Sequence, residues 1–246
     1  KGETEVTYRL GLDVGGTFTD FALQNETTGE LSIFKEPTTP EDASVGVMKG
    51  LTQLLQRKNI ALKDVLHAIH GTTLATNTVI ERKGVKTGLI TTRGFRDVLL
   101  LGREKRHELY DLFIQKPASL VPRYLIKEIT ERTAYNGEVI TPPEEADIRK
   151  VVRELLQLGA QSIAVCLLHS YANPEHERLV GSLIQKEAPD IPVSLSSDIS
   201  PLYREYERTQ TTVVNAYVVV QVRDYLRNLL SNLKSGGFGG SFYIMQ

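Results

Sequence analysis

From residue 8 to residue 14, apolar and polar positions alternate and then run together, which predicts a strand entering a core. Residues 18–23 and 31–34 predict two more, separated from each other by the turn Asn25-Glu26-Thr27-Thr28-Gly29. Three short strands in succession predict an antiparallel meander. Pro40-Glu41-Asp42-Ala43 opens a helix that runs to about Gln56, because Val47, Leu51, Leu54 and Leu55 follow a helical period. Next come a short buried strand at 65–69, a helix at 72–82 after the turn Gly71-Thr72, and a strand at 87–91 closed by Arg93-Gly94. A meander with strand–helix alternation after it predicts a mixed α/β fold.

Between about 100 and 145 the periodicity fades. Arg103-Glu104-Lys105-Arg106-His107 reads as a solvated charged loop. Prolines 117, 122, 142 and 143 punctuate the rest of this stretch, leaving loops and a strand near 125–133. Order returns with a helix at 144–158, a strand at 162–169, a helix at 173–187 and a short strand at 193–196. This second strand–helix alternation predicts a parallel sheet extension. Residues 201–234 predict one long helix or two joined ones, and Ser235-Gly236-Gly237-Phe238-Gly239-Gly240 a flexible stretch. Residues 241–246 read as the first strand of a second lobe that this chain does not contain. The expected organisation is a core at 1–100, an α/β extension at 101–200, the long helix at 201–234, and a linker with that strand at 235–246.

A net charge of -1 leaves no global field for nucleic acid or membrane, and 41% hydrophobic with 24% charged residues suits a soluble globular chain. No apolar run approaches the ~18–20 residues that cross a bilayer, and no signal peptide is visible, so a cytoplasmic location is expected. The single cysteine, Cys166, excludes an intrachain disulfide and reads as a small hydrophobe in a buried strand. No Cys/His cluster has zinc spacing.

The candidate chemistry begins at Asp13-Val14-Gly15-Gly16-Thr17-Phe18-Thr19-Asp20, a tight turn between two predicted strands. Gly15 and Gly16 permit positive φ and remove side-chain bulk, so that backbone N–H groups can form a nest around one anion. Thr17 and Thr19 add hydroxyl donors. Asp13, at the end of a buried strand, is a poor phosphate ligand but a good one for a magnesium ion or its waters. Asp20 plays a similar part or satisfies local backbone. No helix comes after the glycines, so this is neither a Walker loop nor a Rossmann fingerprint.

His70-Gly71-Thr72-Thr73 predicts a strand-to-helix turn with Thr72 as N-cap and a helix N-terminus suited to an anion. Thr73, Asn77 and Glu81 are spaced by four on one helix face, which either lines a cleft or is simply solvated. His70 is a hydrogen-bonded structural residue or a catalytic base. Arg204, Arg208, Thr211 and Asn215, spaced 4, 3 and 4, form one polar ridge, either an ordinary surface or a face toward carboxylate, phosphate or a partner domain.

Asp-x-Gly-Gly-Thr on such a hairpin resembles the first phosphate motif of the actin-like ATPases. The longer run from Gly11 to Asp20 resembles the opening of the hydantoinase A/5-oxoprolinase/acetone carboxylase β-subunit family. The run from His70 to Gly84, that from Gly88 to Val98, Leu109-Tyr110-Asp111-Leu112, Leu168-His169-Ser170-Tyr171 and Arg204-Glu205-Tyr206-Glu207-Arg208 extend the likeness in order over about 8–220. The resemblance implies a ribonuclease H-like lobe with ATP and Mg²⁺ as cofactors. Asp13 and His70 would be catalytic, with Asp13 and Asp20 on the metal. Gly15, Gly16, Thr17, Thr19, Gly71, Thr72 and Thr73 would bind nucleotide. It implies a small cyclic amide or ketone substrate, activated by phosphorylation of its carbonyl oxygen, and a hydantoinase B-type partner besides the remaining lobe of the chain. A cyclic amide hydrolase, a ketone carboxylase subunit and a non-catalytic actin-like binding module are the three functions to separate. With one phosphate motif and no adenosine-binding segment in view, the 246 residues alone are expected not to turn over ATP. Steady phosphate release from the purified chain that Asp13→Ala abolishes would overturn that expectation.

Overall fold

β1 (Tyr8–Val14), β2 (Phe18–Asn25) and β3 (Leu31–Pro37) form the antiparallel meander that the pattern predicts, with Leu12 opposite Phe21 and Phe21 opposite Phe34. The structure is a computed structural model and describes residues 6–39, 42–103, 110, 111, 113 and 117–245. Of the charged run at 103–107 only Arg103 falls among them, and of Leu109-Tyr110-Asp111-Leu112 only Tyr110 and Asp111. The chain divides into two compact units. One holds the residues up to Glu81 and those from Gln221 on, the other Arg82–Val220.

In the first unit, α1 (Ala43–Lys58) comes after the meander. Asp42 caps it by accepting the Ser44 N–H, and Asn59 ends it in the left-handed region. β4 (Val65–Thr72) then pairs parallel to β1, and α2 (Leu74–Ile80) leaves its end. The last strand, β11 (Ser241–Ile244), pairs parallel to β4, giving the order β11-β4-β1-β2-β3. Alternation along β1 and β2 buries Leu10, Leu12, Val14, Phe21 and Leu23 on one face, where they meet Val47, Leu51 and Leu54 of α1. Tyr225, Leu229 and Leu233 join the same core. Asp13 stands on the opposite, exposed face, because successive strand residues point to opposite sides.

The second unit is built on a parallel sheet. β5 (Thr87–Thr92) pairs with β6 (Ile126–Ile129) on one side and with β9 (Ser162–Cys166) on the other, and β10 (Val193–Leu195) pairs with β9. β5 and β9 are buried along their whole length. That is the fate of parallel strands covered on both faces. α4 (Glu145–Gln157) and α5 (Glu175–Glu187) contribute Ile148, Val152, Leu155, Val180 and Leu183 to this core. A small hairpin of β7 (Arg132–Thr133) and β8 (Val139–Thr141) and the short helices α3 (Val98–Leu101) and α6 (Ser196–Ile199) complete it. The long helix α7 (Glu205–Ser235) is one unbroken element that contributes residues to both units.

The fold is the expected mixed α/β actin-like ATPase type, with several differences of detail. β5 belongs to the second sheet, and the two units meet in sequence at 81/82, not near 100 as the chain's texture predicts. The strand expected at 162–169 stops at Cys166 because side chains take its next amide protons: the Leu167 N–H goes to the Glu177 carboxylate at 2.8 Å and the Leu168 N–H to Thr92 Oγ1 at 2.8 Å. The final strand, expected to open a separate lobe, is the fifth strand of the first sheet, with Phe242 beside Ala68. Its entry leaves no room for a side chain. A β-carbon on Gly240 would sit 2.3 Å from the Leu66 carbonyl oxygen, a backbone atom that cannot swing aside. Gly240→Ala is therefore expected to loosen β11 from β4 at a cost of about 1–3 kcal/mol, the usual scale of overpacking. Hydrogen exchange would show it as faster exchange of the Tyr243 and Met245 amides.

Candidate functional site

The turn between β1 and β2 is held from both neighbouring strands. Gly15 N–H donates to the Phe18 carbonyl at 3.0 Å and closes it. From the end of β3, Thr38 N–H donates to Thr17 O at 3.0 Å, and Thr38 Oγ1 donates to Gly15 O at 2.9 Å while lying 3.2 Å from Thr19 Oγ1. From the end of β4, Thr72 Oγ1 and the Thr73 N–H both donate to Val14 O, each at 3.2 Å. The carbonyls of Val14, Gly15 and Thr17 are thus engaged. The other edge of the turn is open: Gly16 and Thr17 are exposed, and their N–H groups have no acceptor among the described residues.

This differs from the expected nest in its physical basis. Neither Gly15 nor Gly16 has positive φ, and the Gly15 N–H is spent inside the turn. A side chain there would be crowded. A β-carbon would lie 3.1 Å from the Phe18 carbonyl oxygen at Gly15 and 3.1 Å from the Asn77 amide nitrogen at Gly16. The Asn77 amide, which donates to Thr73 Oγ1 at 3.2 Å, therefore lies against the tip of the turn. Thr19 is fully buried and braces Thr38 from behind, so it is not placed to meet a ligand. α2 begins at Leu74 and is only seven residues long. Thr72 is the last residue of β4 and not the N-cap, which is Thr73; its hydroxyl donates to Val14 O and accepts the Leu74 N–H, so it fastens the turn to the start of α2.

Asp13 and Asp20 are direct partners in the antiparallel pairing of β1 and β2. Directly opposed residues share one face with β-carbons about 4.5–5.5 Å apart, so the two carboxylates stand side by side. Lys35, the partner of Asp20 on β3, makes a half-exposed ion pair with it at 3.1 Å. On the other side of Asp13 the partner is Gly71 of β4, whose missing side chain leaves open space 3.5 Å from Asp13 Oδ1. Two like charges opposite each other destabilise a bare sheet, and a divalent cation would relieve that repulsion. Mg²⁺ is held by one or two carboxylates together with substrate phosphates, so this pair fits it. Among the described residues no group of three or more His, Cys, Asp or Glu side chains could hold a metal by itself.

His70 is fully buried on the core face of β4. Its Nε2 lies 3.2 Å from the Tyr225 hydroxyl, and its ring stacks on Phe242 at 5.9 Å. Burial pushes its pKa below the ordinary imidazole value of 6.5, although the Asp13 charge pulls the other way. The ring stands behind the turn, joining β4, β11 and α7. The polar ridge expected along α7 does not exist as one surface. Arg204 is exposed, whereas Arg208 is 1% exposed and donates to Leu202 O at 2.7 Å and Leu167 O at 2.9 Å. Asn215 donates to Ser194 Oγ at 2.9 Å, and Thr211 is turned back onto Glu207 O. Thr38, Lys35 and Tyr225 do not stand out in the sequence. For Thr38 the signal available is its place just past a strand that pairs with the turn; for Tyr225 there is none.

Two outcomes test this arrangement. Thr38→Val removes the donor to Gly15 O and leaves that acceptor without its partner, so it is expected to cost about 1–2 kcal/mol in urea denaturation. For His70 the neutral form is favoured by folding, so the unfolded chain binds more protons below pH 6.5. The stability it supports is complete above that pH and falls as the pH drops through and below it. Denaturation midpoints between pH 7 and pH 5 should decline less steeply in His70→Phe than in the parent chain.

Residues 9–188 match the hydantoinase/oxoprolinase N-terminal region. A protein of Methanocaldococcus jannaschii is 40% identical over 242 residues, 97% of this chain and 35% of its own length. Among solved structures, the ATP-dependent caprolactamase from Pseudomonas jessenii superposes with a TM-score of 0.89 at 33% identity, covering 97% of this chain and 35% of that one. A nucleotide-free acetone carboxylase, described as ATP-dependent, superposes with a TM-score of 0.87 at 31% identity, over 98% and 36%. The chain spans about a third of the length of these relatives. It belongs to the hydantoinase/oxoprolinase N-terminal region family.

Proposed function

We propose that this chain is the phosphate-binding lobe of an ATP-dependent enzyme that activates the carbonyl oxygen of a small cyclic amide, of the hydantoin or 5-oxoproline kind, for ring opening. The observation that carries the proposal is the β1–β2 turn. The Val14, Gly15 and Thr17 carbonyls are tied down by Thr38, Thr72 and Thr73, the Gly16 and Thr17 N–H groups remain open, and Asp13 and Asp20 stand beside them. Fixed backbone donors next to paired carboxylates are what a metal-bound polyphosphate requires. Asp13 and Asp20 would hold Mg²⁺, which neutralises developing charge on the transferred phosphoryl group.

Phosphoryl transfer asks a protein chiefly for positioning and charge stabilisation. A turn that cannot shift because three threonines hold it supplies the positioning. An amide carbonyl is a poor electrophile, and a phosphoryl group placed on its oxygen converts that oxygen into a leaving group. Water adds to the activated carbon, the ring C–N bond breaks to leave an acyl phosphate, and a second water hydrolyses that to a carboxylate and free phosphate. His70, buried and kept neutral, supports the turn from behind and touches no reacting atom in this reading; Asp13 is the residue at the chemistry. The water-attack step would fall to the remaining lobe and to a partner subunit of the hydantoinase B type.

A second reading, a subunit of a ketone carboxylase, is favoured by one observation: the fold superposes on the acetone carboxylase almost as well as on the caprolactamase. The first phosphorylation would be shared and the second step would be carboxylation of an enol phosphate. Full-length protein with its partner subunit, assayed for ATP-dependent phosphate release with hydantoin, 5-oxoproline and acetone, separates the readings. Release with a cyclic amide and loss of it in Asp13→Ala are expected. Release with acetone alone would favour the carboxylase, and calorimetry showing no Mg²⁺–ATP binding would leave a binding module without chemistry.

A further inference from the structure

One row of side chains crosses the outer face of the first sheet beside the turn. The pairing of β4, β1, β2 and β3 sets Gly71, Asp13, Asp20 and Lys35 in line. Lys35 Nζ stands 3.1 Å from Asp20 Oδ1 and 5.2 Å from the centre of the Phe18 ring. Phe18 precedes Asp20 by two positions on β2, so it shares that face and lies nearer the turn. Its ring holds the ammonium on the turn side of Asp20. The next row away from the turn, Ile69, Gly11, Ala22 and Ile33, holds no charge. The row beside the turn thus sets one ammonium against two carboxylates.

The Lys35 and Asp20 side chains are 55% and 47% exposed, and an ion pair so open to water adds little to stability. Its consequence lies in the charge it places. A bare divalent cation at Asp13 and Asp20 meets an ammonium already seated on one of its carboxylates. A cation carried by a triphosphate brings net negative charge with it and offers that ammonium phosphate oxygens as alternative partners. Lysine is suited to such an exchange, because its charge is compact, its three donors rotate and its four-carbon stem is flexible. The backbone of β3 need not move.

We propose that Lys35 makes the site selective for metal-bound polyphosphate over the bare metal: it pairs with Asp20 while no metal is held, opposes a cation that arrives alone, and turns to the phosphates when the cation arrives with nucleotide. The inference rests on the proposed function, which puts Mg²⁺ at Asp13 and Asp20, and adds to it the residue that sets which form of the metal is accepted.

The test uses full-length protein, with Lys35→Met, Lys35→Arg, Asp20→Asn and the double variant of Lys35→Met with Asp20→Asn. Mn²⁺ alone, a paramagnetic stand-in for Mg²⁺, is titrated by electron paramagnetic resonance, and a non-hydrolysable ATP analogue at saturating Mg²⁺ by calorimetry. At ~5 Å in water a unit charge alters the affinity for a divalent ion by on the order of tenfold, and salt reduces this. Lys35→Met is therefore expected to bind Mn²⁺ about threefold or more tighter and the analogue about threefold or more weaker, with Lys35→Arg near the parent in both. In the Asp20→Asn background Lys35→Met should tighten Mn²⁺ less. A merely structural role would weaken both affinities together, so the opposite signs are the diagnostic readout. Unchanged affinities in Lys35→Met, shifts of one sign, or equal tightening of Mn²⁺ in the Asp20→Asn background would each overturn this assignment and leave the proposed function standing. Mn²⁺ binding that Asp20→Asn does not weaken would overturn the assignment together with the metal position it rests on.

Discussion

Two threonine side chains, those of Thr38 and Thr72, and the N–H groups of Thr38 and Thr73 hold the β1–β2 turn, and the rest of the site depends on this. Thr38 reaches it from β3, and Thr72 and Thr73 reach it from β4, so the turn is fixed by strands on both flanks. The carbonyls of Val14, Gly15 and Thr17 are committed, and the N–H groups of Gly16 and Thr17 stay open on the exposed tip. A polyphosphate would find donors already oriented, with no loop to order on binding, and a turn that need not be ordered costs less on association.

The same strands set the carboxylates. The antiparallel register that packs Leu12 against Phe21 on the core face must place Asp13 against Asp20 on the other. Slipping either strand by one residue would turn its carboxylate into the core and its apolar side chains out. The apolar core of the first unit therefore enforces the geometry of the candidate metal site. His70 adds a brace: its ring joins β4 to Tyr225 of α7 and Phe242 of β11, elements that come from the far end of the chain.

The second unit obeys another logic. Its polar side chains are mostly internal fasteners. Glu177 receives the Leu167 and Ser197 N–H groups and the Ser196 hydroxyl, and Glu131 pairs with His176 at 2.7 Å. Buried charges persist when each is paired and hydrogen-bonded, and these are. Against that background the buried Nε–H groups of Arg96 and Arg208 and the Ser197 hydroxyl, which have no partner among the described residues, are exceptions.

What the sequence determined by itself is what short-range physics carries. Alternation marks the meander, an apolar run marks the buried strand β9, and helical periodicity marks α1, α4, α5 and α7. The Asp-x-Gly-Gly-Thr turn and the residues after it identify the family, because that chemistry is contiguous in the chain. What only the tertiary structure decided are relations between distant residues. Gly15 and Gly16 look conformational in the sequence and prove to be spatial glycines, because the atoms that crowd them include an amide on α2. Thr19, Thr72 and Thr73 look like ligands and prove to be fasteners, because their hydroxyls or amides meet partners from other strands. Arg208 has the spacing of a surface ridge and is buried, since β9 ends against it. Residues 241–244 join the first sheet because the open edge of β4 offers unpaired backbone groups, and no local pattern in a glycine-flanked strand says which edge it will take.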